Sequence, residues 1–160
     1  MKNEILNILA KNSRTSNEQI ALMLGKQEEE VKQAITELEE ENIIMGYPAI
    51  VNWEKTDRDA VMAFIEVRVT PQRDKGFDKV AERIYQYPQV KSCNLMSGGY
   101  DLFVAVEGKT MKEVALFVAE KLATIESVIS TATHFVLKQY KENGVIYEQK
   151  YKDNREAVVL

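Results

Sequence analysis

The segment Ser97-Gly98-Gly99-Tyr100-Asp101 combines groups that can hold a small molecule carrying both a negative and a positive charge. Its two glycines have no Cβ atoms, so their backbone amides can approach a carboxylate closely. Asp101 can pair with an amino group, Tyr100 offers a hydroxyl and an apolar ring, and Thr131 adds a hydroxyl from the last predicted strand. An amino acid carries both charges, so we expect it as the effector. The alternative is a structural turn in which Asp101 only satisfies local backbone amides.

Strands on both sides are expected to position this loop. Val90 to Met96 precedes it as an apolar run. In Tyr100 to Glu107, which follows, Leu102, Val104 and Val106 occupy every second position, the period of a strand. The loop is therefore predicted to close a β-hairpin.

The rest of the second half predicts two more strands and two helices. An alternating run from Val61 to Thr70 is the first strand, and Val128 to Lys138 is the last. Apolar residues at helical spacing predict one helix from Phe77 to Ile84 and another after Thr110, which has the spacing of a capping residue. The order βαββαβ is the ferredoxin-like arrangement, an antiparallel sheet with helices on one face, and the fold class is α+β.

The predicted sheet has a second face that no further helix in the sequence can cover. Its apolar residues are Met62, Phe64, Phe103 and Ala105. Leaving large side chains of this kind in water forfeits about 1.5 to 3 kcal/mol each. We therefore expect a homodimer packed sheet to sheet.

The first part of the chain predicts three short helices. Asn3 is placed to cap the first, and Ser16 begins the second with capping-box spacing to Gln19. Gly25 ends the second helix, and a third runs from about Gln27 to Glu41. Two helices joined by a short turn with glycine are typical of the helix-turn-helix motif, whose last helix enters the DNA major groove. The alternative is a helical bundle that serves only as an interaction module.

Breaks in periodicity divide the chain into four predicted segments. They are a helix-turn-helix domain at 1–46, a linker strand and hinge at 47–59, a βαββαβ domain for ligand binding and dimerisation at 60–140, and a C-terminal tail at 141–160. The linker strand is expected at Ala49 to Glu54. The tail is expected to add a strand to the dimer.

Composition excludes several classes of protein. The 160 residues are 45% hydrophobic and 29% charged, which excludes a wholly disordered chain. No apolar run reaches about 18 residues and the start has no apolar signal core, so we expect a cytoplasmic protein without membrane contact. One cysteine, Cys93, and one histidine, His134, cannot build a zinc site within one chain. We predict no catalytic residues, no metal and no cofactor.

Taken in order, several motifs resemble the Lrp/AsnC (feast/famine) family of transcriptional regulators. They are Ile5-Leu6…Leu9, Arg14, Ile20-Ala21…Leu24-Gly25, Leu38-Glu39-Glu40-Glu41-Asn42-Ile43-Ile44…Gly46-Tyr47, Gly99-Tyr100-Asp101, and Thr131-Ala132-Thr133…Val136-Leu137…Tyr140-Lys141. The resemblance implies a winged helix-turn-helix domain that binds double-stranded DNA. It also implies a second domain that forms dimers and often octamers, and that binds an amino acid or related metabolite between subunits. The effector loop corresponds to Ser97 through Asp101, and the matching positions are Gly98, Gly99, Tyr100, Asp101 and Thr131.

The third helix departs from the family pattern because Glu28 to Glu30 form its first turn. Family members usually carry a serine near Gln27 and basic residues at Gln33 and Ala34. Acids suit a helix N-terminus but repel DNA phosphates, although glutamate can accept a hydrogen bond from cytosine N4. The residues expected to contact DNA are Lys11, Arg14 and Lys26 on the backbone, and Gln27, Lys32, Gln33 and Thr36 on base edges or phosphates.

Two other functions stay open beside a DNA-binding regulator. Residues 1–46 hold five bases and nine acids, which accounts for the whole net charge of −4. A metabolite-sensing oligomeric module without DNA binding would explain this acidic third helix. A sirohaem-decarboxylase-like enzyme shares the architecture, with His134 meeting a substrate carboxylate. The sequence has no catalytic triad, phosphate-binding loop or metal cluster to favour an enzyme.

Overall fold

A computed structural model describes residues 1–70 and 76–147. The chain divides into two compact units, Met1–Ala49 and Ile50–Leu160. Each unit has its own hydrophobic core. The predicted linker at 47–59 crosses the division between them.

The first unit consists of three helices, α1 (Lys2–Lys11), α2 (Asn17–Leu24) and α3 (Glu28–Glu40). Their inward side chains form one core, made of Ile5, Leu9, Ile20, Ala21, Val31, Ala34 and Leu38. On α3 the buried residues recur at intervals of three and four, which is a single helix face. The opposite face of α3 is therefore left for another partner.

Helix α2 begins and ends where its sequence predicts. The Ser16 hydroxyl accepts from the Gln19 backbone amide at 3.2 Å, and the Gln19 side chain accepts from the Ser16 amide at 3.1 Å. This reciprocal pair is the predicted capping box. Gly25 ends the helix with φ of 63°, the left-handed conformation that glycine adopts without a Cβ clash. Local hydrogen bonding and backbone conformation thus determine both ends of α2, the first of the two helices in the helix-turn-helix motif.

Two predictions near the ends of this unit are wrong. Asn3 does not cap α1, because the helix begins at Lys2 with Met1 as its N-cap residue. The linker has no strand among its described residues, 47–59, and contains one 3₁₀ turn at Trp53–Lys55. The Asn52 side chain accepts from the Glu54 backbone amide at 3.2 Å, and such local bonds compete with strand pairing.

The chain after α3 turns back onto that helix. Asn42 has φ of 55°, a left-handed conformation that asparagine adopts more readily than most residues. The Tyr47 hydroxyl then donates to the Glu39 carboxylate at 2.7 Å. Burial and the neighbouring Glu39 charge raise the pKa of Tyr47 to about 12, so the phenol remains a donor at neutral pH.

The second unit is a four-stranded antiparallel sheet with helices on one face. Its elements are β1 (Val61–Val69), α4 (Asp78–Tyr85), β2 (Val90–Leu95), β3 (Leu102–Gly108), α5 (Met111–Phe117) and β4 (Val128–Phe135). A wide turn of π type, Val118–Leu122, continues α5. The strand order β2-β3-β1-β4 confirms the ferredoxin-like βαββαβ arrangement and the α+β class.

The core of this unit lies between the sheet and its helices. The buried strand residues are Ala63, Ile65, Val67 and Val69 of β1 and Leu102, Val104 and Val106 of β3. Side chains of α4 and α5 pack on them, and among the described residues no α-helix packs on the opposite face. We name that opposite face the open face. Strand pairing assigns to it Met62, Phe64, Glu66, Arg68, Phe103, Ala105, Glu107, Ser130, Ala132 and His134.

A small hairpin follows β4. It consists of β5 (Lys141–Glu142) and β6 (Val145–Ile146), joined through Asn143 and Gly144, whose φ angles are both positive. The predicted contribution of the tail to a dimer depends largely on residues 148–160, which lie outside the described residues.

Replacing Ser16 with alanine removes one half of the α2 capping box. We expect the free energy of unfolding of the first unit to fall by about 1 kcal/mol. Urea denaturation followed by circular dichroism measures this change. The control is Ser13→Ala, an exposed turn residue, for which we expect less than about 0.5 kcal/mol. Equal losses in both variants would contradict the role of the cap.

Candidate functional site

The exposed side of α3 carries polar side chains suited to the edges of DNA bases. Lys32, Gln33 and Thr36, predicted as contact residues, share this side with Glu29, and all four are exposed. The Lys32 ammonium lies 3.5 Å from the Glu29 carboxylate, and the Gln33 amide donates to Glu37 at 3.2 Å. The Thr36 hydroxyl donates to the Lys32 carbonyl at 3.1 Å. We name Glu29, Lys32, Gln33 and Thr36 the α3 surface.

One of the three acids that begin α3 is committed to the helix itself. The Glu30 carboxylate accepts from the Gln27 backbone amide at 3.0 Å, which satisfies one of the free donors at the helix N-terminus. Gln27, also predicted to contact DNA, is exposed and immediately precedes α3. Glu28 and Glu29 are both exposed. The acidity that the sequence places on this helix therefore remains at its surface.

The basic residues predicted to hold DNA phosphates lie at helix ends and turns. Lys11 is the last residue of α1, Arg14 lies between α1 and α2, Lys26 lies between α2 and α3, and all are exposed. Lys2 is engaged elsewhere, because its ammonium lies 3.0 Å from the Glu37 carboxylate. Hydrogen bonding to that carboxylate raises the pKa of Lys2. Three cations thus remain available around the helix-turn-helix motif, in addition to the one on α3.

In the second unit an open groove lies beside the loop that ends in Asp101. It has a volume of about 340 Å³ and is lined by Glu66, Arg68, Gly99, Tyr100, Ser130, Thr131 and Ala132. Arg68 Nε donates to the Gly99 carbonyl at 2.7 Å, which ties β1 to the loop and orients the guanidinium group. We name this the Arg68 groove. Of the predicted effector residues it brings together Gly99, Tyr100 and Thr131, and it does not include Ser97, Gly98 or Asp101.

Asp101 serves the backbone of the sheet. Its Oδ2 accepts from the Val69 backbone amide at 2.8 Å, and its own amide donates to the Val67 carbonyl at 3.0 Å. The β1–β3 pairing ends at Val67 and Leu102, so the Val69 amide lies beyond that ladder and takes a side-chain partner instead. The carboxylate thus satisfies a backbone amide, as the turn interpretation expects, but that amide belongs to β1, 32 positions away in sequence, and not to the loop itself. A pairing of Asp101 with an effector amino group stays a prediction.

The two glycines of the loop are in different situations. Gly98 has φ of 133°, a conformation that side chains disfavour, so the turn itself requires glycine there. A Cβ added at Gly99 would meet no atom within 4 Å, and the backbone of Gly99 has no such φ. The turn therefore explains Gly98 but not Gly99, which lines the groove.

Strand pairing places the predicted Thr131 on the other side of the sheet from the groove's charged residues. Thr131 pairs with Val67, whose side chain is buried against the helices, and cross-strand partners face the same side. Ser130 pairs with Arg68 and so faces the open side. The hydroxyl expected from the last strand is thus supplied to the open face by Ser130.

Sequence reasoning missed four of the groove residues. They are Glu66, Arg68, Ser130 and Ala132. The alternation of β1 already assigned Glu66 and Arg68 to the face away from the helices. Their position beside Gly99 depends on which strands pair and in what register, and the sequence alone does not specify either.

The apolar part of the open face is a row of aromatic rings. The rings of Phe64 and Phe103 stack with centroids 5.1 Å apart, and Tyr100 lies 5.9 Å from Phe103. Met62 and both phenylalanines are half-buried in the single chain. Ala105, predicted to join a dimer interface, is already buried at 6% exposure, so it offers little further surface.

The two residues considered for metal or enzyme chemistry have ordinary surroundings. His134 Nε2 lies 3.3 Å from the Glu66 carboxylate on the open face. Cys93 is a free, half-buried thiol, and burial raises its pKa. In the ranges 1–70 and 76–147, no three histidine, cysteine or acidic residues are grouped to hold a metal ion. Those same ranges contain no helix of the length and apolar character needed to span a membrane.

Comparison with known proteins assigns both units. Residues 62–146 match the Lrp/AsnC ligand binding domain, and residues 2–45 match a winged helix-turn-helix DNA-binding domain. The chain belongs to the Lrp/AsnC family. It is a DNA-binding transcriptional regulator of that type, which confirms the resemblance in its sequence motifs.

Individual relatives agree with this assignment. The chain is 50% identical to YugG of Bacillus subtilis, described as an uncharacterized HTH-type transcriptional regulator, over 97% of this chain and 94% of YugG. The fold is shared with Escherichia coli AsnC, at 21% identity and a TM-score of 0.68 over 88% and 93% of the two chains. It is also shared with the regulator NMB0573 of Neisseria meningitidis, at 24% identity and a TM-score of 0.70 over 88% and 90%. These matches are transcriptional regulators and give no support to the sirohaem-decarboxylase-like alternative or to a module without DNA binding.

Replacing Asp101 with alanine should destabilise the fold. The variant leaves the amide of the buried Val69 without its partner, which costs about 1 to 3 kcal/mol in the free energy of unfolding. Asp101→Asn keeps a side-chain oxygen that can accept this bond and should lose less. Urea denaturation of both variants measures the difference. If Asp101→Ala unfolds like the wild type, the carboxylate is not needed by the fold and a role in ligand binding gains support.

Proposed function

We propose that this regulator binds an amino acid in the Arg68 groove, and that a second copy of the chain packs on the open face and completes the site. The observation that carries the proposal is a groove lined by one cation and one anion, Arg68 and Glu66. A free amino acid presents the two complementary charges on one carbon atom. The ligand-binding domain named by the family supports a small-molecule effector in this unit.

Arg68 and Glu66 bind opposite ends of the ligand's charged backbone. The terminal nitrogens of Arg68 can donate two parallel hydrogen bonds to a carboxylate, which a lysine could not do with the same geometry. Its Nε is held by the Gly99 carbonyl, so the guanidinium is already oriented before a ligand arrives. Glu66 accepts from the ligand ammonium, and the hydroxyls of Tyr100 and Ser130 line the same groove. This assignment replaces the glycine amides and Asp101 as the charged partners, because Asp101 is bonded to Val69.

A solved relative supports the class of effector. The structure of NMB0573 from Neisseria meningitidis is a complex with L-methionine. An amino acid is therefore a known ligand of a protein with this fold. Which amino acid this chain prefers depends on the residues that surround the ligand's side chain once the second subunit covers the groove.

The open face supports self-association. Phe64 and Phe103 form a stacked pair that is only half-buried in the single chain. A two-fold partner presents the same row of rings, so the surface is complementary to itself. Full burial of an exposed side chain of this size is worth about 1.5 to 3 kcal/mol, and covering these half-buried rings recovers part of that. The same proposal includes further assembly of dimers to an octamer. It also includes a cytoplasmic location, because the regulator must reach DNA.

Replacing Arg68 with methionine tests the effector site. The variant keeps the length of the side chain and removes its charge and donors, so we expect at least a tenfold loss of affinity for an amino acid that the wild type binds, as for the loss of about 1.5 to 3 kcal/mol from a charged hydrogen bond. Isothermal titration with each of the common amino acids measures this. Lys91→Met, which removes another exposed cation of the sheet, is the matched control and should bind like the wild type. Equal binding by Arg68→Met and the wild type would contradict the site.

Replacing Phe64 with aspartate tests the dimer. We expect wild-type protein to scatter light as a dimer or larger at micromolar concentration, and Phe64→Asp to dissociate because it places an unpaired charge in the interface. Leu116→Asp, on the exposed part of α5, is the control and should leave the assembly intact. Circular dichroism distinguishes dissociation from unfolding. A compact wild-type monomer would contradict the proposal.

A further inference from the structure

Three residues of the α3 surface form a stripe along the helix with side-chain oxygens that can accept hydrogen bonds. This is the side on which a recognition helix meets the bases. The winged helix-turn-helix match makes DNA the ligand of this unit, and the first residues of a recognition helix contact base edges. Glu29, Gln33 and Thr36 recur at intervals of four and three residues, on the face opposite the core. The buried residues on the core side are Val31, Ala34 and Leu38.

Glu29 is the member of this stripe closest to the start of the helix. Its side chain is 82% exposed, and its only close cation is Lys32 at 3.5 Å within the described residues. An exposed pair of this kind is weak. Lys32 can therefore turn to a phosphate on DNA while the Glu29 carboxylate meets the floor of the groove.

The two neighbouring acids do not compete for this position. Glu30 is bonded to the Gln27 amide at the helix start. Glu28 precedes Glu29 by one residue, which rotates its side chain by about 100° around the helix axis. Among the three acids, only Glu29 is on the stripe opposite the core.

We infer that Glu29 determines base specificity by accepting a hydrogen bond from the N4 amino group of a cytosine in the major groove. A carboxylate can only accept, and of the four bases only cytosine and adenine present a donor there. Adenine carries its N7 acceptor beside the N6 donor, and that acceptor repels a carboxylate. Cytosine has no acceptor at the adjacent position of this edge, so it is the preferred partner.

The charge of the first unit makes this contact more important. Residues 1–46 hold five bases against nine acids, and Lys2 is already paired within the unit. Phosphate contacts, which supply most affinity for any DNA sequence, therefore come from few residues. A correspondingly larger share of the affinity for an operator comes from base contacts such as that of Glu29.

The test compares Glu29→Gln with Glu28→Gln in the full-length protein. The two variants remove the same charge from the same turn of α3, so both should raise retention of all DNA by a similar factor. Each protein, with the wild type, is incubated with a duplex library randomised at its centre, and the bound fragments are sequenced. Wild type and Glu28→Gln should prefer cytosine at one position of each half-site by about tenfold. Glu29→Gln should move that preference to adenine, because a glutamine amide bonds N6 and N7 together.

An unchanged base preference in Glu29→Gln overturns the assignment, and so does an equal shift in Glu28→Gln. Circular dichroism of each variant establishes that α3 is intact. Amino-acid titration of the same proteins reports the Arg68 groove in the other unit. A failure of the effector proposal is therefore distinguishable from a failure of this one.

Discussion

In the described part of the second unit, α-helices cover one face of the sheet and leave the other open, and the arrangement of this unit depends on that constraint. Alternate residues of β1 point to opposite sides because the strand is pleated. The residues on one side, such as Ile65 and Val67, are buried against α4 and α5. Those on the other side include an aromatic pair and two charged residues at the same surface. Packing the core thus leaves a face that suits both self-association and ligand binding.

The loop before β3 combines residues that the turn requires with residues that line the Arg68 groove. Asp101 supplies the acceptor that the Val69 amide needs beyond the end of the β1–β3 pairing, and Gly98 adopts the φ that the turn requires. Gly99 has no such structural requirement, and its carbonyl holds the Arg68 guanidinium. The turn and the effector site are therefore not exclusive interpretations of this segment. Different residues account for each.

The acids of α3 have separate roles that their common charge conceals. Glu30 stabilises the start of the helix by accepting from Gln27, and Glu37 pairs with Lys2 on α1. Such contacts are compatible with a DNA-binding helix because they lie at its start or beside α1. The remaining acidity weakens attraction to phosphates in general. The proposed contact of Glu29 with a base would supply sequence preference that phosphate contacts cannot.

Local chemistry made much of the fold predictable from the sequence. The α2 capping box, the left-handed Gly25 and Asn42, and the two-residue alternation of β1 depend only on neighbours along the chain. The family assignment also followed from short motifs in order. Local signals were insufficient at two places. Asn3 was predicted as the cap of α1, which begins one residue earlier, and a linker strand was predicted at Ala49 to Glu54, where the chain forms a 3₁₀ turn.

Tertiary structure alone decided the composition of the groove. Glu66 and Arg68 are about 30 residues from Gly99 in sequence. An extended strand rises about 3.3 Å per residue, so local structure alone cannot bring them into contact. The pairing of β1 with β3 brings them together. The β1–β4 register placed Ser130 rather than Thr131 on the open side, and the end of the β1–β3 pairing left the Val69 amide for Asp101. A shift of one residue in register reverses the face of every side chain in a strand. The sequence therefore determined which residues alternate, and the pairing of distant strands determined which of them line the groove.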